Sequence, residues 1–147
     1  HRVLTEANCR ETTILHCVSA YPATFSDTNL SVLETIRERF NCKVGWSDHT
    51  VDPAVIQRVV HRWSADVIEF HLDLDGNGEE YGPGHCWLPD QIASVISGIK
   101  RGIESDGDGI KKPVNSEIPD REWRADPMDG LRPLRTIRRR WDESNKS

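Results

Sequence analysis

No stretch of the chain approaches the roughly 18 consecutive apolar residues that a membrane-spanning helix needs. The N-terminus lacks the short apolar core of a secretory signal. There is no basic excess: 19 lysines and arginines face 24 acids, for a net charge of −5. That balance argues against a general nucleic-acid binder, which would present a basic face. The four cysteines, Cys9, Cys17, Cys42 and Cys86, contain no CxxC pair. Spread over 147 residues they do not make a disulfide framework, and reduced thiols in a cytoplasmic protein are expected. A methionine start is missing as well. The chain opens at His1, and Val3, Leu4, Ala7 and Cys9 read as the end of a helix already under way, so an incomplete chain is expected.

What is present is an order of elements. Thr13–Val18 is a short apolar run, read as a buried strand that ends at Tyr21-Pro22, because proline removes a ladder donor. Ser26 or Asp27 then caps a helix carrying Leu30, Leu33, Ile36 and Phe40, closed by Asn41 and Cys42. A second strand, Lys43–Trp46, leads into Ser47-Asp48-His49-Thr50. Asp52 before Pro53 is a helix start, with Val55, Val59, Val60 and Trp63 as its stripe. Asp66–His71 is a third strand, and a glycine-rich loop from Asp75 to Gly84 follows. Pro89-Asp90 opens a third helix bearing Ile92, Val95, Ile96, Ile99 and Ile103.

Three strand-helix units imply an α/β fold with a parallel sheet covered by helices, either doubly wound or part of a barrel. Three strands leave both sheet edges bare, which again points to a missing half. From Ser105 onward the prolines, glycines and charges break any period. Residues 106–147 are read as an extended tail or linker, with a short basic helix near Arg135–Trp141.

In such a sheet, chemistry gathers at the C-terminal strand ends. The first strand ends in Ser19 and Tyr21, the second in Ser47, Asp48 and His49, the third in Glu69 and His71. Two histidines at adjacent strand ends can share a divalent metal, since imidazole suits manganese, iron, cobalt or zinc. Two protein ligands leave positions open for substrate, as a Lewis acid requires. Glu69, two residues before His71, points to the same face and can move protons or orient substrate. Each residue has a plainer reading as a hydrogen-bonded structural group. His16 is read as a strand histidine with a satisfied partner, His61 as a surface residue, and His85 as a loop residue within reach of substrate.

Two patterns are set aside. Asp73-Leu-Asp75-Gly-Asn77-Gly78 matches the first half of a calcium loop, but its twelfth position is Gly84, where a bidentate glutamate is required. The five arginines between Arg132 and Arg140 are read as a solvated surface before a phosphate or RNA site.

The segments Leu15–Pro22, Val44–Thr50, Val67–His71 and Gly82–His85 resemble, in order and spacing, the sialic acid synthase family. The resemblance covers residues 1–105. It implies a (β/α)8 barrel of which this chain holds the last three or so strand-helix units, with the active site at the strand ends. It implies condensation of phosphoenolpyruvate with N-acetylmannosamine or a related amino sugar, releasing phosphate, and a divalent metal, typically manganese. Carried over by motif, His49 and His71 are metal ligands and Glu69 is the active-site carboxylate. Ser19 and Ser47 hold phosphoenolpyruvate, and Tyr21 lines the sugar pocket. The chain departs from the family at Gly84, where an aspartate is usual, and at Ser19, where some members carry asparagine. The family's phosphoenolpyruvate-binding lysines belong to the other half of the barrel, so this segment alone is expected to be inactive. A missing half-barrel partner or a homodimer is expected. The alternatives are a non-catalytic metal-binding or interaction module, and another metal-dependent aldol or isomerase barrel.

Overall fold

A computed structural model of the chain describes residues 1–9 and 11–144. The chain divides into two compact units, His1–Asp106 and Gly107–Ser147.

The first unit is built on four parallel strands, β1 (Thr13–Cys17), β2 (Lys43–Asp48), β3 (Val67–Leu72) and β4 (Cys86–Trp87), lying side by side in chain order. A short helix α1 (Arg2–Glu6) precedes them. Helices α2 (Val32–Phe40), α3 (Pro53–His61) and α4 (Pro89–Asp106) follow β1, β2 and β4. The chain is thus an α/β unit with a parallel sheet.

Register decides which face each side chain takes. Trp46 stands opposite His16 and Ile68, and Ser47 opposite Cys17 and Glu69. Because strand side chains alternate, Ile14, His16, Val44, Trp46, Asp48, Ile68 and Phe70 share one face. That face is the core side: Val44 and Trp46 cluster there with Leu33, Val55, Ile56, Val59, Trp87, Ile92 and Val95. Leu15, Cys17, Gly45, Ser47, Val67, Glu69 and His71 share the other face, which is open to solvent at Cys17, Val67 and Glu69. Gly45 is required there by space, since a Cβ at this position would lie 2.5 Å from the Val67 carbonyl oxygen.

The helix signals act as expected at α3, where the Asp52 carboxylate accepts the N–H groups of Ala54 (2.7 Å) and Val55 (3.3 Å) and Pro53 takes the first turn. Asn41 closes α2 in the left-handed conformation, at φ 46°. Two expectations need correction. Ser26 and Asp27 do not cap α2 but lie in a 3-10 turn, Phe25–Asp27. The helix starts only after Asn29, whose φ of 39° breaks the helical path. Strand β4 was not expected at all, because two residues are too few to show any period.

In the second unit, residues read from sequence as an extended tail carry 3-10 helices at Asn115–Glu117 and Pro119–Trp123 and the helix α5 (Arg135–Ser144), which is the short basic helix read near Arg135–Trp141. Acidic side chains organise it. Asp126 accepts from the backbone N–H of Arg135 (2.7 Å) and of Met128 (2.9 Å), capping α5. Asp129 binds Arg138 through both its oxygens, at 2.8 and 2.6 Å. Trp123 and Trp141 pack on each other, ring centroids 5.7 Å apart. Among the described residues, no helix is long and apolar enough to cross a membrane.

Candidate functional site at the strand ends

The C-terminal ends of β1, β2 and β3 and the approach to β4 bring four ring side chains together. His49 and His71 have ring centroids 5.1 Å apart, and His71 and His85 also 5.1 Å. The ring of Tyr21 lies 4.2 Å from His49, 5.0 Å from His85 and 5.8 Å from His71. Residues singled out in four separate sequence segments therefore share one place, in which Tyr21 and His71 each neighbour the other three rings.

His49 is held from three sides. Its Nδ1 donates to the Val18 carbonyl at 2.7 Å, and its own carbonyl accepts from Ala23 N–H at 2.9 Å. A carbonyl can only accept, so the neutral ring carries its proton on Nδ1 and keeps the Nε2 lone pair for a ligand. Beneath it, the carboxylate of Asp48 is wholly buried and takes five hydrogen bonds. Oδ1 accepts from Trp46 Nε1, Thr50 N and Thr50 Oγ1, and Oδ2 from Trp87 Nε1 and Val51 N, at 2.7–3.2 Å. A buried carboxylate is tolerable only with its lone pairs so filled. The same bonds hold Val51 at φ 50°, a strained conformation for a β-branched residue. Asp48, read from sequence as one of the polar strand-end residues, is thus the buried anchor of the loop that presents His49.

On the open face, Ser47 Oγ donates to the carboxylate of Glu69. The bond follows from register, since the two residues are direct cross-strand partners. His71 lies two residues further along the same face. Ser19 is exposed beyond the end of β1.

Sequence reasoning missed two neighbours, Glu80 and Cys86. His71, Glu80, His85 and Cys86 each place a ligand-type atom within 4.8 Å of the others. Glu80 Oε2 lies 3.1 Å from His71 Nδ1 and 3.8 Å from His85 Nε2. Burial, and then the charges of Glu80 and Asp73, push the Cys86 thiol up. With no cation beside it, that thiol therefore stays protonated near neutral pH. His85 is buried and its Nδ1 has no hydrogen-bond partner among the described residues. Such a donor set, nitrogen-rich and oxygen-supported, fits a divalent metal of the manganese-to-zinc series.

The calcium-like run folds on itself. Asp73 Oδ1 accepts from the N–H groups of Asp75 and Gly76, and Asp75 from that of Asn77. His16 Nε2 donates to the Thr28 carbonyl at 2.8 Å, and His61 is exposed. A cavity of about 540 Å³ is lined by Phe25, Leu30, Arg58 and Trp63 among others, and holds none of the strand-end residues.

A parallel sheet covered by helices defines the class: an α/β protein. The chain belongs to the NeuB family, whose model matches residues 1–111. It is 38% identical over 119 residues to an uncharacterized protein of Methanocaldococcus jannaschii, covering 79% of this chain and 34% of that one. It is 34% identical over 108 residues to the N,N'-diacetyllegionaminic acid synthase of Legionella pneumophila, covering 72% and 30%. The N-acetylneuraminic acid (sialic acid) synthetase of Leptospira borgpetersenii, solved with citrate, superposes with a TM-score of 0.57 at 28% identity, over 74% of this chain and 38% of that one. The chain thus spans about a third of the length of the curated relatives it matches.

Proposed function

We propose that the protein carrying this chain condenses phosphoenolpyruvate with an N-acetylated amino sugar to give a sialic acid-type nonulosonate. The observation that carries the reading is the convergence of His49 and His71 beside the Ser47–Glu69 pair, at strand ends from separate sequence segments. Relatives named for sialic, legionaminic and pseudaminic acid synthesis support the class of product.

Residues 1–105 supply part of a (β/α)8 barrel in this reading. Support comes from the sheet itself: helices pack on one face, while the other, bearing Leu15, Ser47, Glu69 and His71, is open to solvent at several positions. In a barrel this face would be the interior, closed by further strands from a partner half or from more of the same polypeptide. Residues 106–147 stand outside it.

His49 and His71 would hold a divalent metal, manganese foremost, through Nε2, with His85 alongside. When bound, it would supply Lewis acidity to a sugar carbonyl oxygen. The bond forms between C3 of phosphoenolpyruvate and the aldehyde carbon of the open-chain sugar, and with water taken up, phosphate is released. Glu69, kept as an acceptor by the Ser47 hydroxyl, orients the sugar or moves a proton at its reacting oxygen. Ser47 and Ser19 hold phosphoenolpyruvate, and Tyr21, half exposed over the histidines, forms a wall of the sugar pocket.

The test is sugar-dependent phosphate release by the protein at its natural length, with phosphoenolpyruvate, manganese and a panel of N-acetylated amino sugars. Release with one of them is expected. No release with any would favour a non-catalytic metal-binding module.

A further inference from the structure

His49 and His71 are held alike at Nδ1, but by different groups. His49 faces a backbone carbonyl, whereas His71 faces the side chain of Glu80, nine residues away on the loop between β3 and β4. The Glu80 oxygen 3.1 Å from His71 Nδ1 is also the one 3.8 Å from His85 Nε2, so one carboxylate oxygen addresses two rings. Sequence spacing gives no hint of this, because only the folding of the loop brings Glu80 back over the strand.

We propose that Glu80 is the positioning residue of the site: it accepts the Nδ1 proton of His71, fixes that tautomer, and so turns the Nε2 lone pair of His71 toward the same point as that of His49. A carboxylate behind an imidazole fixes the ring's orientation and raises its basicity, and its loss typically weakens metal binding about 10- to 100-fold. The role needs a partner for the ring nitrogen that does not bind metal, and the strand offers His71 none. Glu80 acts behind the ligand and not as a ligand. The inference rests on the reading of His49 and His71 as the metal pair.

The test uses the protein at its natural length, metal-free for one readout and titrated with Mn2+ alone for the other. Nitrogen-15 spectra of the histidine rings report the tautomer directly. In wild type, His71 is expected as the Nδ1–H form. Glu80→Ala should lose that form and bind Mn2+ about 10- to 100-fold more weakly. Glu80→Gln, whose amide oxygen still accepts, should keep the tautomer and most of the affinity. Glu79→Ala, exposed on the same loop, should change neither. A His71 ring that keeps Nδ1–H without Glu80 overturns the proposal, whatever happens to affinity. Weaker Mn2+ binding with the tautomer unchanged would make Glu80 a ligand instead. If wild type binds Mn2+ independently of His49 and His71, the metal reading fails, while the tautomer still decides whether Glu80 positions His71.

Discussion

Trp87 Nε1 donates to Asp48 Oδ2 at 3.0 Å, across 39 residues of sequence, inside the apolar core. With Trp46 on the other oxygen, it ties the end of β2 to the two-residue strand β4. The loop that presents His49 and the segment that presents His85 are thereby fixed to one buried group.

Asp48→Asn keeps the shape but turns one acceptor into a donor, facing either Trp87 and Val51 or Trp46 and Thr50. At least two donors then lose their acceptor: Trp87 Nε1 and Val51 N in one orientation, or Trp46 Nε1, Thr50 N and Thr50 Oγ1 in the other. A loss of about 2–6 kcal/mol is expected, since each unmade buried bond costs about 1–3 kcal/mol. Denaturant unfolding of the full protein measures it, and Mn2+ affinity should fall with it as the His49 loop loosens.

Gly45→Ala should destabilise by about 1–3 kcal/mol, the usual cost of overpacking. Its Cβ meets a backbone atom, the Val67 carbonyl oxygen at 2.5 Å, which cannot rotate away. Parting β2 from β3 there also separates Ser47 from Glu69, so turnover should fall more than the stability loss alone explains.

Glu69→Gln should lower kcat about 100- to 10,000-fold if the carboxylate handles a proton. Ser47→Ala should cost less, because it removes only the donor. A Glu69→Gln enzyme with unchanged kcat would restrict Glu69 to binding.

The second unit carries a pH dependence. The N–H of Arg135, then that of Met128, hold the Asp126 carboxyl below its ordinary value of 3.8. A group depressed in the folded state stabilises it above the ordinary value and loses that contribution as pH falls through the folded one. The cap on α5 is therefore intact at neutral pH and is released below about pH 4. The amide shift of Arg135 should follow this titration in wild type and stay flat in Asp126→Asn.

Much of this was legible in sequence for a physical reason. Strands β1 to β3 are short segments rich in apolar residues, α3 and α4 carry periodic stripes behind proline starts, and strand ends collect polar residues. Those signals are local. What escaped detection depends on distance. Strand β4 is too short to show a pattern, and the start of α2 is displaced by the left-handed Asn29. Asp48 looks like any strand-end acid until Trp46 and Trp87 close over it. Glu80 lies in a glycine-rich loop whose path no periodicity fixes.

The most direct test of the central claim is sugar-dependent phosphate release by the metal-stripped protein on readdition of manganese, for wild type, His49→Ala and His71→Ala. The account predicts that stripping abolishes release, that manganese restores it in wild type, and that neither variant recovers. Full recovery in both variants would show that the two histidines are structural and would contradict it.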